Sequence, residues 1–145
     1  LSVRQEPDLS ALWTRNAASK GWGLPRCVGT TLAWHQYNPR LPEQLQPGAY
    51  GILEPLPTLP AVEPDAVDLI LVPAVACDLS GFRLGYGGGF YDRLLAQPEW
   101  ANKPTIGIVF EFAFLDPLDA DLWDLPMQAV CTENGLIAID MKSLN

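Results

Sequence analysis

Residues 68–95 read DLILVPAVACDLSGFRLGYGGGFYDRLL: an apolar run, a loop with glycine at four of the five positions from Gly85 to Gly89, then Phe-Tyr-Asp-Arg. The run from Asp68 to Asp78 has no polar alternation, which is the pattern of a strand buried on both faces of a parallel sheet. Pro73 cannot donate to a ladder and predicts a bulge or an early end. The spacing after the loop predicts a helix from about Phe90 to Gln97, with Phe90, Leu94 and Leu95 on one face. PTIGIVFEF, from Pro104, reads as a second buried strand. Strand, glycine loop, helix and strand make a βαβ unit, so the class is α/β. The expected form is a three-layer αβα fold, with a mostly parallel central sheet and helices on both faces.

Upstream, Asp8 or Ser10 can cap a helix that puts Leu9, Leu12, Trp13 and Ala17 on one face. Lys20 and Gly21 are its stop signals. Short strands are expected around Leu24 to Val28 and Thr30 to Tyr37. Seven of the fourteen prolines fall between Pro39 and Pro64. That density blocks helix and central strand and predicts a long, stiff connection whose GAYGILEP stretch can pack and build a site. Downstream, AVCTENGLIAID reads as two strands around Asn134-Gly135, a favoured hairpin pair. With no internal repeat and no boundary in the sequence, residues 1–145 are expected to form one domain.

Hydrophobic residues are 48% of the chain and charged ones 18%, a globular balance rather than a disordered one. A net charge of −8 argues against a general nucleic-acid or anionic-membrane surface, so an anionic substrate needs a local positive patch. No apolar run is long enough to span a bilayer, and Leu1 to Gln5 do not form a secretory signal. Cys27, Cys77 and Cys131 have no zinc-site spacing, and their odd number fits poorly with a disulfide framework. Reduced thiols in a cytoplasmic protein are expected. His35, the single histidine, sits in the alternating stretch TLAWHQY and reads as a packed or surface strand residue rather than a catalytic one.

A glycine cluster costs backbone entropy and needs a reason in the folded state. At the carboxyl end of a buried strand, before a helix, two reasons compete. One is a tight structural turn. The other is bound phosphate, reached by backbone N–H groups that carry no side chains in the way. Arg83 and Arg93 flank the loop and could supply charge. Neither the Walker spacing nor the dinucleotide fingerprint is present, because Phe90 and Tyr91 follow Gly89. Asp92 in the first helical turn either complements the helix dipole or, beside phosphate, joins it through Mg²⁺. Tyr91 reads equally as core or as a stacking surface for a flat ligand.

Residues 68–95 resemble the signature of the 5-formyltetrahydrofolate cyclo-ligases, in which a strand ending in Pro leads through G.RLG.GGG.YDR. RQEPDLSALW, GAYGILEP and LWDLPMQAVCTENG are similar to further segments of that family, so the likeness runs along essentially the whole chain. The resemblance implies ring closure of 5-formyltetrahydrofolate to 5,10-methenyltetrahydrofolate with ATP and Mg²⁺ as cofactors. It implies small-molecule partners only, with no nucleic acid, membrane or protein partner. Arg83 and the segment Gly85, Tyr86, Gly87, Gly88, Gly89, Phe90 and Tyr91 would hold ATP, and Arg83 and Asp92 would carry the chemistry. Asp92 and Asp124 would engage Mg²⁺. Glu6, Glu54 and Tyr91 would border the folate.

Two departures accompany the likeness. Gln128 stands where many members carry a second Asp. The family has a further N-terminal helix bearing Lys and Arg, then a first strand of which Leu1-Ser2-Val3 resembles the tail. Two other function classes are therefore kept: a nucleotide- or folate-binding module without turnover, and another phosphate-handling enzyme on the same fold.

Overall fold

The computed structural model describes residues 6–115 and 117–140. The expected strand tail Leu1-Ser2-Val3 lies outside the described residues. The chain divides into two units: Asp8–Ala66 forms one, and residues 6–7 with Val67 onward form the other.

In the first unit, the Asp8 carboxylate accepts from the Ser10 N–H at 3.0 Å and from its hydroxyl at 2.9 Å, just ahead of α1 (Ser10–Asn16), but the N-cap position is Leu9 and carries no side-chain cap, so neither Asp8 nor Ser10 is the cap. Trp13 is the buried residue of that helix and meets Tyr37 edge-on, at 6.2 Å between centroids. Leu12, expected on the same face, is 41% exposed. The helix stops at Asn16, ahead of Lys20 and Gly21. Thr14 and Asn16 turn their side chains back onto the carbonyls of Ser10 and Leu12, a local competition that weakens helices. Strands β1 (Trp22–Val28) and β2 (Thr31–Tyr37) form an antiparallel hairpin in full register, turning at Gly29 with φ of 59°.

The proline-rich segment is more ordered than expected. It holds a second antiparallel ribbon, β3 (Leu45–Pro47) with β4 (Leu53–Pro55), and short 3₁₀ turns. Pro47 and Pro55 end their strands, where a missing N–H costs the ladder nothing.

The second unit carries the βαβ element. The apolar run makes two strands, β5 (Ile70–Pro73) and β6 (Ala76–Asp78), because Pro73 closes the first. Strand β7 (Arg83–Leu84) returns antiparallel to β6. Helices α2 (Phe90–Leu95) and α3 (Pro98–Ala101) follow, then β8 (Thr105–Ile108), which pairs in parallel with β5. Strand β9 (Phe114–Leu115) pairs in parallel with β6. Strands β10 (Ala129–Thr132) and β11 (Gly135–Ala138) complete a four-stranded sheet of order β11-β10-β8-β5, parallel apart from β11. The fold is mixed α/β with few helices. The expected hairpin is present, but Glu133 and Asn134 are its two loop residues, one position earlier than the predicted pair, because Thr132 pairs with Gly135.

Val72, Val109, Met127, Val130 and Cys77 form the fully buried centre of this unit. Gly107, midway along β8, is bare because a Cβ there would lie 2.9 Å from the Cys77 sulfur. All three cysteines are unpaired, as expected. No helix among the described residues is long and apolar enough to cross a membrane.

Candidate functional site

The glycine loop is set by the turn before it. Asp78, at the end of β6, is 1% exposed. Its Oδ1 accepts from the N–H groups of Ser80 and Phe82, each at 2.9 Å, and its Oδ2 accepts from Leu118 N–H at 2.9 Å. One buried carboxylate thus closes residues 78–82 into a tight turn and ties it to a segment forty residues on. The turn delivers Gly81 with φ of 85°, where a Cβ would strike the Met127 carbonyl. Asp78 was not singled out by the sequence reading. Its signal was present in DLSG, an Asp followed by Ser and Gly, which is how such side-chain-capped turns are written.

Arg83 leaves this turn pointing inward. Its side chain is 6% exposed. Nη2 donates to Asp92 Oδ1 at 2.6 Å and Nη1 donates to the Leu125 carbonyl at 3.2 Å. The structure therefore brings the two expected catalytic residues together, as a pair with each other.

Gly85 to Gly88 are exposed. Gly87 has φ of 83° and Gly89 of 61°, a left-handed backbone that disfavours side chains. Gly85 has neither reason: its φ is ordinary and a Cβ would meet nothing within 4 Å. Tyr86 is 57% exposed at the tip of the loop, while Phe90 and Tyr91 are half-buried in the first turn of α2. Arg93 folds back along the loop, donating from Nη2 to the Gly88 carbonyl at 2.6 Å and placing its guanidinium 5.3 Å from the Phe90 ring centroid.

A magnesium ion carried with phosphate needs one or two protein carboxylates rather than a full cage. Asp92 fits that part. Its side chain is 22% exposed, and Oδ1 is the oxygen that Arg83 takes. Asp124 accepts from the Asp121 N–H at 2.8 Å through Oδ2. Gln128 Oε1 accepts from both the N–H and the hydroxyl of Thr105, so it staples the start of β8 to the segment entering β10. No group of three His, Cys, Asp or Glu that could hold a metal occurs among the described residues.

Glu6 is buried in the same unit as the loop. Glu54 belongs to the other unit and is also buried, at 4% exposure, rather than solvated on its loop. Its Oε1 accepts from Cys27 N–H at 3.2 Å and its Oε2 lies 3.7 Å from Arg26 Nη1. Gly48 has to be bare, because a Cβ there would run into the Glu54 carboxylate. Burial, and next the Glu54 charge, push the Cys27 thiol above its ordinary pKa. His35 is a strand residue with Nδ1 on the Leu59 carbonyl at 2.9 Å.

Residues 2–133 match the family model described as the 5-formyltetrahydrofolate cyclo-ligase family. The 5-formyltetrahydrofolate cyclo-ligase of Mycolicibacterium smegmatis is 40% identical over 110 residues, which cover 74% of this chain and 55% of that protein. That of Haemophilus influenzae is 36% identical over 125 residues, covering 82% and 63%. The chain thus spans about 55% and 63% of the lengths of these two relatives. The NMR structure of Aquifex aeolicus 5,10-methenyltetrahydrofolate synthetase superposes with a TM-score of 0.80 at 34% identity, over 96% of this chain and 69% of that one. With a family match running over nearly its whole length, onto which the strand, bare loop and Tyr-Asp-Arg helix all fall, the chain belongs to the 5-formyltetrahydrofolate cyclo-ligase family.

Proposed function

We propose that the intact protein catalyses the ATP-dependent cyclisation of 5-formyltetrahydrofolate to 5,10-methenyltetrahydrofolate, with release of ADP and phosphate. The observation that carries this reading is Gly85. It lies in an exposed loop, and neither its φ nor any neighbouring atom within 4 Å requires the missing side chain. A ligand that must come close to the backbone would require it. The amides from Gly85 to Tyr91, with Arg83 behind them, are assigned to the ATP phosphates, and Glu6 and Tyr91 to the folate. In the family's chemistry the formyl oxygen attacks the γ-phosphorus and the bond to the bridging oxygen of ADP breaks. N10 then attacks the formyl carbon, the carbon–oxygen bond breaks, phosphate leaves with that oxygen, and the N10 proton passes to water. Such a sequence depends on positioning and charge stabilisation more than on covalent help from the protein. Asp92, with Asp124 as the second assigned carboxylate, would hold magnesium, which would supply charge neutralisation for the phosphates.

The reading also places the protein in the cytoplasm, supported by three unpaired thiols, and makes the four-stranded sheet the middle layer of an αβα arrangement, supported by the helical crossover between β5 and β8. The test is to mix the chain with 5-formyltetrahydrofolate, Mg²⁺ and ATP and follow the absorbance of the methenyl product. Product that accumulates only with ATP is expected. ATP binding without product would favour a binding module without turnover, and neither product nor binding would overturn the assignment.

A further inference from the structure

In the second unit, the end of α2, the end of α3 and the entries to β8 and β10 line a half-open cleft of about 210 Å³. Leu95, Ala101, Leu125 and Pro126 give it apolar walls, and Lys103, Thr105 and Gln128 add polar groups. Thr105 is the first residue of β8, so the cleft lies at the amino end of that strand. None of the lining residues is acidic, in a chain of net charge −8, and none is among those assigned above to ATP, magnesium or folate. Hydrogen bonds within the cleft decide which groups remain for a ligand. The Thr105 N–H can only donate, so the Gln128 amide turns its oxygen to Thr105, where it also takes the hydroxyl. Nε2 is left with two donors and no partner among the described residues. Lys103 is half-buried and likewise has no ion pair among them. An ammonium and an amide NH₂ beside apolar walls match a carboxylate on an apolar body. Size narrows that body. An apolar cavity of about 150 Å³ admits benzene, so this cleft has room for one six-membered ring and its carboxylate.

We propose that this cleft binds a small monocarboxylate whose apolar body is the size of one ring. Lys103 and the Gln128 amide nitrogen receive the carboxylate, and Leu95, Leu125 and Pro126 pack against the body. Lys103 supplies the charge and Gln128 the direction, while Thr105, 3% exposed, fixes the Gln128 amide. The site stands apart from the nucleotide reading, which can fail without touching it.

The test is an NMR titration of the full chain with benzoate, following backbone and side-chain amides, beside benzamide, acetate and inorganic phosphate. Benzoate is expected to saturate in the millimolar range and to shift the Gln128 side-chain amide and the backbone amides of Lys103 and Thr105. Benzamide has the shape without the charge and is expected to bind about tenfold more weakly, the scale of one charge-assisted hydrogen bond. Acetate and phosphate have the charge without the ring and should also be weaker by about tenfold or more. Lys103→Gln is expected to lower benzoate affinity about tenfold and leave benzamide unchanged. Gln128→Glu keeps an oxygen for Thr105 but replaces the donor with negative charge, and is expected to abolish saturation by benzoate. Absence of saturation in the parent chain, shifts that map to other residues, or shifts that persist in both variants overturn the proposal. So does acetate or phosphate binding as tightly as benzoate, which shows an accessible cation only. Benzamide binding as tightly as benzoate shows an apolar hollow only, and overturns it too.

Discussion

Nη2 of Arg83 lies 2.6 Å from Oδ1 of Asp92, and the two side chains are 6% and 22% exposed. The pair joins the strand before the glycine loop to the helix after it, so the loop is anchored at both ends by one ion pair. The same guanidinium reaches the Leu125 carbonyl. Replacing Arg83 with Ala leaves a half-buried carboxylate and a carbonyl without their donor. We expect a loss of about 2–4 kcal/mol, read as a lower urea midpoint with unchanged slope. Arg83→Ala/Asp92→Ala should be less destabilised than the sum of its single variants, because the two residues share one interaction.

Gly85 and Gly87 separate binding from folding. Gly87→Ala places a Cβ on a backbone with φ of 83° and should cost about 1–2 kcal/mol in stability. Gly85→Ala meets nothing within 4 Å at an ordinary φ. Its stability is expected to stay within about 1 kcal/mol of the parent. Its affinity for ATP is expected to drop, since the added methyl stands where a phosphate oxygen would approach. Thermal unfolding and ATP titration on the same pair of variants check both halves.

Asp78 is the least replaceable carboxylate of the second unit. Asp78→Asn can keep the oxygen that serves Ser80 and Phe82, but it turns an NH₂ group toward the Leu118 N–H. Two donors then face each other in a buried site, and a loss of about 1–3 kcal/mol follows. Asp78→Ala removes all three acceptor bonds and should cost more. Amide exchange distinguishes the two. In the Asn variant Leu118 should lose protection while Ser80 and Phe82 keep theirs.

Glu54→Gln removes a negative charge beside Cys27 while preserving size. The Cys27 thiol is held above its ordinary pKa by burial first and by Glu54 second. Without the charge its pKa should fall, so more thiolate is present at a given pH and alkylation of Cys27 should speed up between pH 7 and 9. An unchanged rate would mean that burial alone governs the thiol.

Where local chemistry decides, the sequence is readable: the two strands β1 and β2, the early stop at Pro73 and the helix after the glycine loop all follow from alternation, proline and spacing. Where partners far along the chain decide, it is not. The ribbon of β3 and β4 hides among prolines because each strand needs only three residues, and Pro47 and Pro55 occupy their ends. The burial of Glu54 depends on Cys27 and Arg26, 27 and 28 positions earlier in the chain. Of the site, the loop and its flanking charges were legible. The direction each arginine takes was not, because Leu125 lies 42 residues from Arg83 and nothing local points to it.

Cys77 and Gly107 interlock so closely that the sulfur fills the place of the missing side chain. The residue is fully buried, and burial pushes its thiol pKa up to about 12. Peroxide therefore meets neither a thiolate that could attack it nor space for the oxygen it would add. Oxidative damage at this position must wait until the sheet opens, so a sulfenic acid recovered there is a record of unfolding rather than of signalling.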